Sequence, residues 1–383
     1  MKKRTKLLSE SQLEKINPQL REPIEYRKSG LSINHIIGCP LDCSYCVRHL
    51  FGNFNQRSPQ ALCTDEEAVH KLLTHKYFTP NVTPIQIFNR ATDPMLPKVK
   101  THTFRVLQLL DQEKLRNHVL VITRWKITEE DCKVLNDLKN IRLTILVTYS
   151  GIEDSDFEPV KSSIAEASLK TLYQYACKYK VVLYWRPLIP GINDSDAHIA
   201  KANMLARHAH ATVFSGLFYR EEIAKHYREN NILEPYIETA RRKILPKNLE
   251  EKILSQFNNG DGRAILFRKT SCAVSHVHGM SDYNGHFGIR ELCDICPSAQ
   301  FALCAKDWAK PDPEDVAKLA HDLGATDVPE ITERAIVIAG LDEQRRYFMQ
   351  HNLQFQVHDI EKPHHQGRHG RAEMGWNKKN DEH

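Results

Sequence analysis

The sequence predicts an α/β fold: a partial (β/α)6 barrel, then a C-terminal metal-binding segment and a helical extension. Three observations predict it. From about residue 32 to about residue 220, short β-branched runs alternate with longer amphipathic stretches, the pattern of parallel strands joined by helices. Each unusual motif in that stretch directly follows one of the runs, and parallel α/β sheets bind their ligands beyond the carboxyl ends of the strands. Seven of the ten cysteines fall into two groups, one inside the alternating stretch and one after it.

The six predicted strands are SINHIIG, PIQIFN, HVLVITR, IRLTILVT, KVVLYWRP and ATVFSGLF. Between them, VKTHTFRVLQLLDQEKL places Phe104, Leu107 and Leu110 on one helical stripe, and SSIAEASLKTLYQYACKYK repeats the arrangement with Leu169, Leu172 and Ala176. Crossovers between parallel strands are right-handed, so six successive units curl into a partial barrel or an open wound sheet. The boundaries read as an N-terminal extension over 1–30, the barrel over 31–220, the segment with the second cysteine group over 221–309, and a helical extension with a polar, His-rich tail over 310–383.

At 383 residues and 41% hydrophobic composition, the chain is large enough for a substantial core. The opening MKKRTKLL has no apolar stretch of the secretory kind, and no segment approaches the roughly 18 apolar residues of a membrane span, so a cytoplasmic location is expected. Ten cysteines would suit a disulfide framework only in a small secreted domain. The net charge of +5 is weak and spread along the chain, although the first 28 residues carry eight Lys or Arg against four Glu. Nucleic-acid binding usually leaves a more concentrated basic face.

The stretch GCPLDCSYCVRHLFG sets three thiols at Cys39, Cys43 and Cys46. Iron-sulfur clusters and structural zinc usually take four protein ligands, so three leave one metal position free for a small molecule. The alternative is a zinc site completed by a distant ligand such as His49 or Cys63.

A Cys-x3-Cys-x2-Cys loop with an aromatic residue, Tyr45, before the third cysteine resembles the radical S-adenosylmethionine superfamily. The resemblance implies a 4Fe-4S cluster whose unique iron chelates S-adenosylmethionine. One-electron reduction then gives a 5'-deoxyadenosyl radical that abstracts hydrogen from substrate. It also implies cofactor contacts from Tyr45, from Asn89, Thr92 and Asp93 after the second strand, from Thr148 and Ser150 after the fourth, and from Arg186, Pro190 and Asn193 in RPLIPGIND. Asp93 would meet the cofactor ammonium, or else only form an Asp-Pro turn. Asn193 and Asp194 would otherwise cap the next helix, and Arg124 and Lys126 are candidates for anion contacts.

Within the superfamily the motifs over about 30–220 are most similar to the spore photoproduct lyase branch, through ATDP and through Glu158-Pro159 followed by a helix and RPLIPGIND. Ser168 stands near a position where that branch often has arginine, so Arg186 or Lys170 would have to meet the cofactor carboxylate. The expected substrate is a small molecule or peptide, with repair or modification of nucleic acid as the alternative. A flavodoxin or ferredoxin-type protein is the expected electron donor. A non-catalytic metal-binding module is the competitor from another class.

Cys272, Cys293, Cys296 and Cys304 supply four thiols and would close a site, as a second, auxiliary iron-sulfur cluster or as structural zinc. His276 and His278 could replace one of them.

Overall fold

The computed structural model describes residues 5–237, 239–241, 245–258, 264–289, 292–327 and 329–360, so the His-rich tail lies outside the described residues. The fold is mixed α/β around one eight-stranded sheet. Its strands are β1 (Ile24–Arg27), β2 (Gly30–Ile33), β3 (Ile85–Ile87), β4 (His118–Thr123), β5 (Arg142–Tyr149), β6 (Lys180–Leu188), β7 (Ala211–Gly216) and β8 (Leu266–Phe267). They neighbour one another in chain order from edge to edge. β2 to β8 pair in parallel, and β1 adds an antiparallel edge. Neighbours in sequence order, joined by helical crossovers, form the array that a partial barrel requires.

Helices α1 (Asp65–Leu73), α2 (Lys100–Gln112), α3 (Glu129–Asn136), α4 (Ser162–Tyr175) and α5 (Asp196–Ala206) occupy the crossovers. In α2 the buried stripe is Thr103, Val106, Leu107 and Leu110, while Phe104 is half-buried. The cap of α5 is Ser195, whose side chain accepts from His198 N; Asn193 and Asp194 do not cap it.

Alternation along the central strands explains why both faces of the sheet are apolar. Val119, Val121, Ile145, Val147, Val181 and Leu183 join the main core beneath the crossover helices. Leu120, Leu146, Val182 and Tyr184 point the other way. That second face is filled by a helix, α6 (Thr270–Val277), through Ala273 and Val274. Burying each large side chain is worth ~1.5–3 kcal/mol, so the plug is part of the core.

Three sequence expectations change in detail. SINHIIG is not one strand: β2 ends at Ile33, and Ile36–Ile37 pairs with Gln60–Ala61 in a separate small sheet. The N-terminal stretch, expected as a separate extension, contributes β1 to the main sheet. The C-terminal extension is not purely helical. Pro313–Asp322 and Glu343–Leu353 are helices, but Ala335–Ile338 is a buried strand that pairs in parallel with Gln356–Asp359. Among the described residues no helix is long and apolar enough to cross a membrane.

Candidate active site

The three thiols of the first group line a single cavity of about 120 Å³ at the carboxyl ends of the strands. The loop that carries them is shaped from within. Gly38 adopts φ +95, and a Cβ there would meet Ser58 O at 2.3 Å, so only glycine fits. The buried Arg48 guanidinium donates to the carbonyls of Leu41 (2.9 Å), Phe54 (3.1 Å), Gln56 (3.2 Å) and Asn53 (3.3 Å). One side chain thus gathers both arms of the loop around the cysteines. Ser44 ties it to the neighbouring elements through hydrogen bonds with Phe157 O (3.2 Å) and Tyr227 Oη (3.0 Å).

Burial pushes the thiols of Cys39 and Cys43 upward, Arg48 and Arg124 respectively opposing it. Grouped thiolates are therefore costly without a bound cation, and an iron-sulfur cluster fits this donor set. The two side chains named as alternative zinc ligands lie elsewhere. Cys63 lines a different cavity, and the ring of His49 stacks on Phe54 at 3.7 Å.

Around the thiols the cavity wall comes from four strand ends. After β3, Phe88 takes φ +53 and turns the chain so that Asn89, Arg90, Ala91, Thr92 and Asp93 cross the mouth. The Asp93 carboxylate accepts three hydrogen bonds, from Thr123 Oγ1 (2.7 Å), Arg124 N (2.9 Å) and Met95 N (2.9 Å). Burial raises its proton affinity, and these bonds oppose the rise. Thr92 Oγ1 is buried in the same wall without a partner among the described residues. Asn89 accepts from Ser32 Oγ (2.6 Å) and donates to Gln86.

Arg124, after β4, donates to Glu158 Oε2 (2.6 Å) and Tyr45 Oη (2.6 Å). Tyr45 in turn donates to Glu158, Ser150 approaches the same oxygen at 3.4 Å, and Cys43 Sγ lies 3.7 Å from Glu158 Oε1. This buried network of one carboxylate, one guanidinium and one phenol borders the thiols. Sequence reasoning missed Arg48 and the role of Glu158, which had appeared only as the start of an EP motif.

Thr148 and Arg186 also line the cavity. Arg186 lies over the Tyr184 ring at 4.3 Å and donates to its hydroxyl at 3.1 Å. Tyr184 Oη also accepts from Thr270 of α6 at 3.1 Å. Asn193 is buried outside the lining. It accepts from Ile189 N (2.8 Å) and donates to Ser150 O (2.6 Å) and Pro187 O (2.8 Å), which locks the β5 and β6 ends together. Pro190 is half-buried and also outside the lining. Lys126 and Lys170 are exposed, and neither reaches the cavity. Ser168 is buried between α4 and β4, donating to Trp125 O (3.0 Å) and accepting from Ile127 N (3.0 Å).

The second group converges as well. Cys272, Cys293, Cys296 and Cys304 line one small cavity of about 20 Å³ with Arg268 and His286. Burial and mutual repulsion push Cys293 up to about 11, Cys296 up to about 12, and Cys272 well above the ordinary thiol value. Cys304 Sγ accepts from Gln300 Nε2 (3.2 Å) and Asp282 N (3.5 Å). Asp282 accepts from His286 Nδ1 at 2.8 Å. His276 and His278 are engaged elsewhere, with Gln300 (3.2 Å) and Thr144 (2.9 Å), and His286 is the histidine beside the thiols.

No family model and no curated protein matches the sequence. Among solved structures the chain is similar to spore photoproduct lyase complexed with dinucleoside spore photoproduct, at 11% identity and a TM-score of 0.48, over 66% of this chain and 80% of that one. It is also similar to Streptococcus suis SuiB bound to S-adenosylmethionine, at 10% identity and a TM-score of 0.42, over 68% of this chain and 55% of that one.

Proposed function

We propose that the chain is a radical S-adenosylmethionine enzyme acting on a small-molecule or peptide substrate. The observation that carries this reading is the convergence of Cys39, Cys43 and Cys46 with Asp93, Thr92, Thr148 and Arg186 on one cavity at the strand ends. Cys39, Cys43 and Cys46 would hold a 4Fe-4S cluster. When bound, the cluster and S-adenosylmethionine supply one-electron cleavage of the sulfonium and, from it, hydrogen-atom abstraction.

The side chains then divide the work. Asp93, oriented by three donors, presents a fixed carboxylate to the cofactor ammonium. Arg186, which spends one N–H on Tyr184, keeps donors for the cofactor carboxylate, and the Thr92 hydroxyl is available beside Asp93. Arg124 is already committed to Glu158 and Tyr45, so it braces the wall and excludes water. The second thiol group is read as the auxiliary iron-sulfur site. Four thiols close it, and N–H donors to Cys304 are of the kind that tune cluster potentials. A flavodoxin or ferredoxin-type protein would deliver the electron.

The test is anaerobic reconstitution with iron and sulfide, reduction in the presence of S-adenosylmethionine, and assay of 5'-deoxyadenosine. Product from wild type and none from Cys43→Ala is expected. No product from wild type, with zinc in place of iron at the thiols, would establish the non-catalytic metal module instead.

A further inference from the structure

A third cluster of ligating side chains lies apart from both thiol groups. His35 follows β2, Asp65 opens α1, and His102 lies in the first turn of α2. His35 Nε2 stands 2.7 Å from Asp65 Oδ1, and His102 Nδ1 stands 2.8 Å from the same oxygen and 3.1 Å from Oδ2. The His35 side chain is wholly buried, and those of His102 and Asp65 are only 11% and 14% exposed. A reciprocal cap between Thr64 and Glu67 fixes the start of α1, so the carboxylate is delivered by a rigid element. The cluster borders a cavity of about 520 Å³, also lined by Cys63, Thr64 and Arg105, which shares no lining residue with either thiol cavity.

We infer that His35, Asp65 and His102 form a site for a divalent cation of zinc type, with one coordination position open to this cavity. Two imidazoles and one carboxylate make a three-ligand set of the kind that open zinc sites use. Their ligand atoms already lie within 4.8 Å of one another. Zinc bonds of ~2.0–2.1 Å at tetrahedral angles set neighbouring donor atoms ~3.3 Å apart. The present spacings of 2.7 and 2.8 Å need open by only about half an ångström.

The outer nitrogens, His35 Nδ1 and His102 Nε2, are buried without a partner among the described residues.

The test uses the full chain, reconstituted with iron and sulfide, equilibrated with zinc and dialysed. Wild type should retain one zinc per chain more than Asp65→Asn or His102→Asn, with all three shown by circular dichroism to be folded before zinc is added. Equal zinc in the three proteins would overturn the inference. Cobalt in wild type alone provides a check that needs no variant: the retained ion should show nitrogen and oxygen ligation by X-ray absorption, and a purely sulfur shell would refute the site. Because the comparison is a difference between proteins, it holds whether iron or zinc occupies the cysteines.

Discussion

Replacing Asp93 with asparagine changes one oxygen for an amide and keeps the shape. Asp93 Oδ1 accepts from Thr123 Oγ1 at 2.7 Å and Met95 N at 2.9 Å, and Oδ2 accepts from Arg124 N at 2.9 Å. Whichever way the new amide is turned, its NH2 group faces a backbone donor, Arg124 N in one orientation and Met95 N in the other. The Thr123 hydroxyl can rotate to accept; the backbone N–H groups cannot. One buried donor is therefore stranded, at a cost of ~1–3 kcal/mol in stability. That lowers the melting temperature by several degrees. On the proposed assignment, loss of the charge removes a charge-assisted bond to the cofactor ammonium, worth ~1.5–3 kcal/mol, so affinity for S-adenosylmethionine should fall about 10- to 150-fold. Equilibrium dialysis on the reconstituted protein measures this directly. An Asp93→Asn protein that is folded, iron-loaded and binds S-adenosylmethionine as wild type does would refute the assignment of the ammonium to this carboxylate.

Other perturbations give separate readouts. Arg48→Ala frees four carbonyls at once and should cost ~3 kcal/mol or more, with iron per chain reduced at the first group; full iron loading at unchanged melting temperature would contradict the clamp. Glu158→Gln leaves Arg124 without its counter-charge and should destabilise by ~3–5 kcal/mol, read by denaturant melts, whereas a shift below ~1 kcal/mol would mean the pair is solvated. Burial, reinforced by His278, lowers His118 from 6.5 to about 3, so the folded state holds this ring neutral while the unfolded chain protonates below about 6.5. Stability from this group is complete above that value and is lost as pH falls, at about 1.4 kcal/mol per pH unit, until the folded value is reached. His118→Gln should flatten the stability profile between about pH 6 and 4, and an unchanged slope would locate acid sensitivity elsewhere.

Much of this architecture could be read from the residues because it is periodic or local. The β-branched runs became β3 to β7, and the motifs at their ends converged on one cavity because parallel strands present all their carboxyl ends together. What escaped depends on distant partners. Arg48 looked like any charged residue beside a cysteine loop; its burial comes from carbonyls that a folded loop brings round it. Glu158 meets Tyr45 across 113 residues, and no spacing announces such a pair. AIVI was absorbed into a helical reading because four apolar residues fit either period, and its parallel partner Gln356–Asp359 decides the matter. Asn193 looked like a cofactor contact or a cap, yet its amide joins two strand ends.

The helix that carries Cys272 is also the stopper of the sheet's inner face. A chain cut short near residue 220 would not be a smaller sheet missing an accessory. Leu120, Leu146, Val182 and Val213 would stand bare to water in the middle of the sheet. The boundary between scaffold and second thiol segment marks a change of chemistry, and mechanically the two are one body.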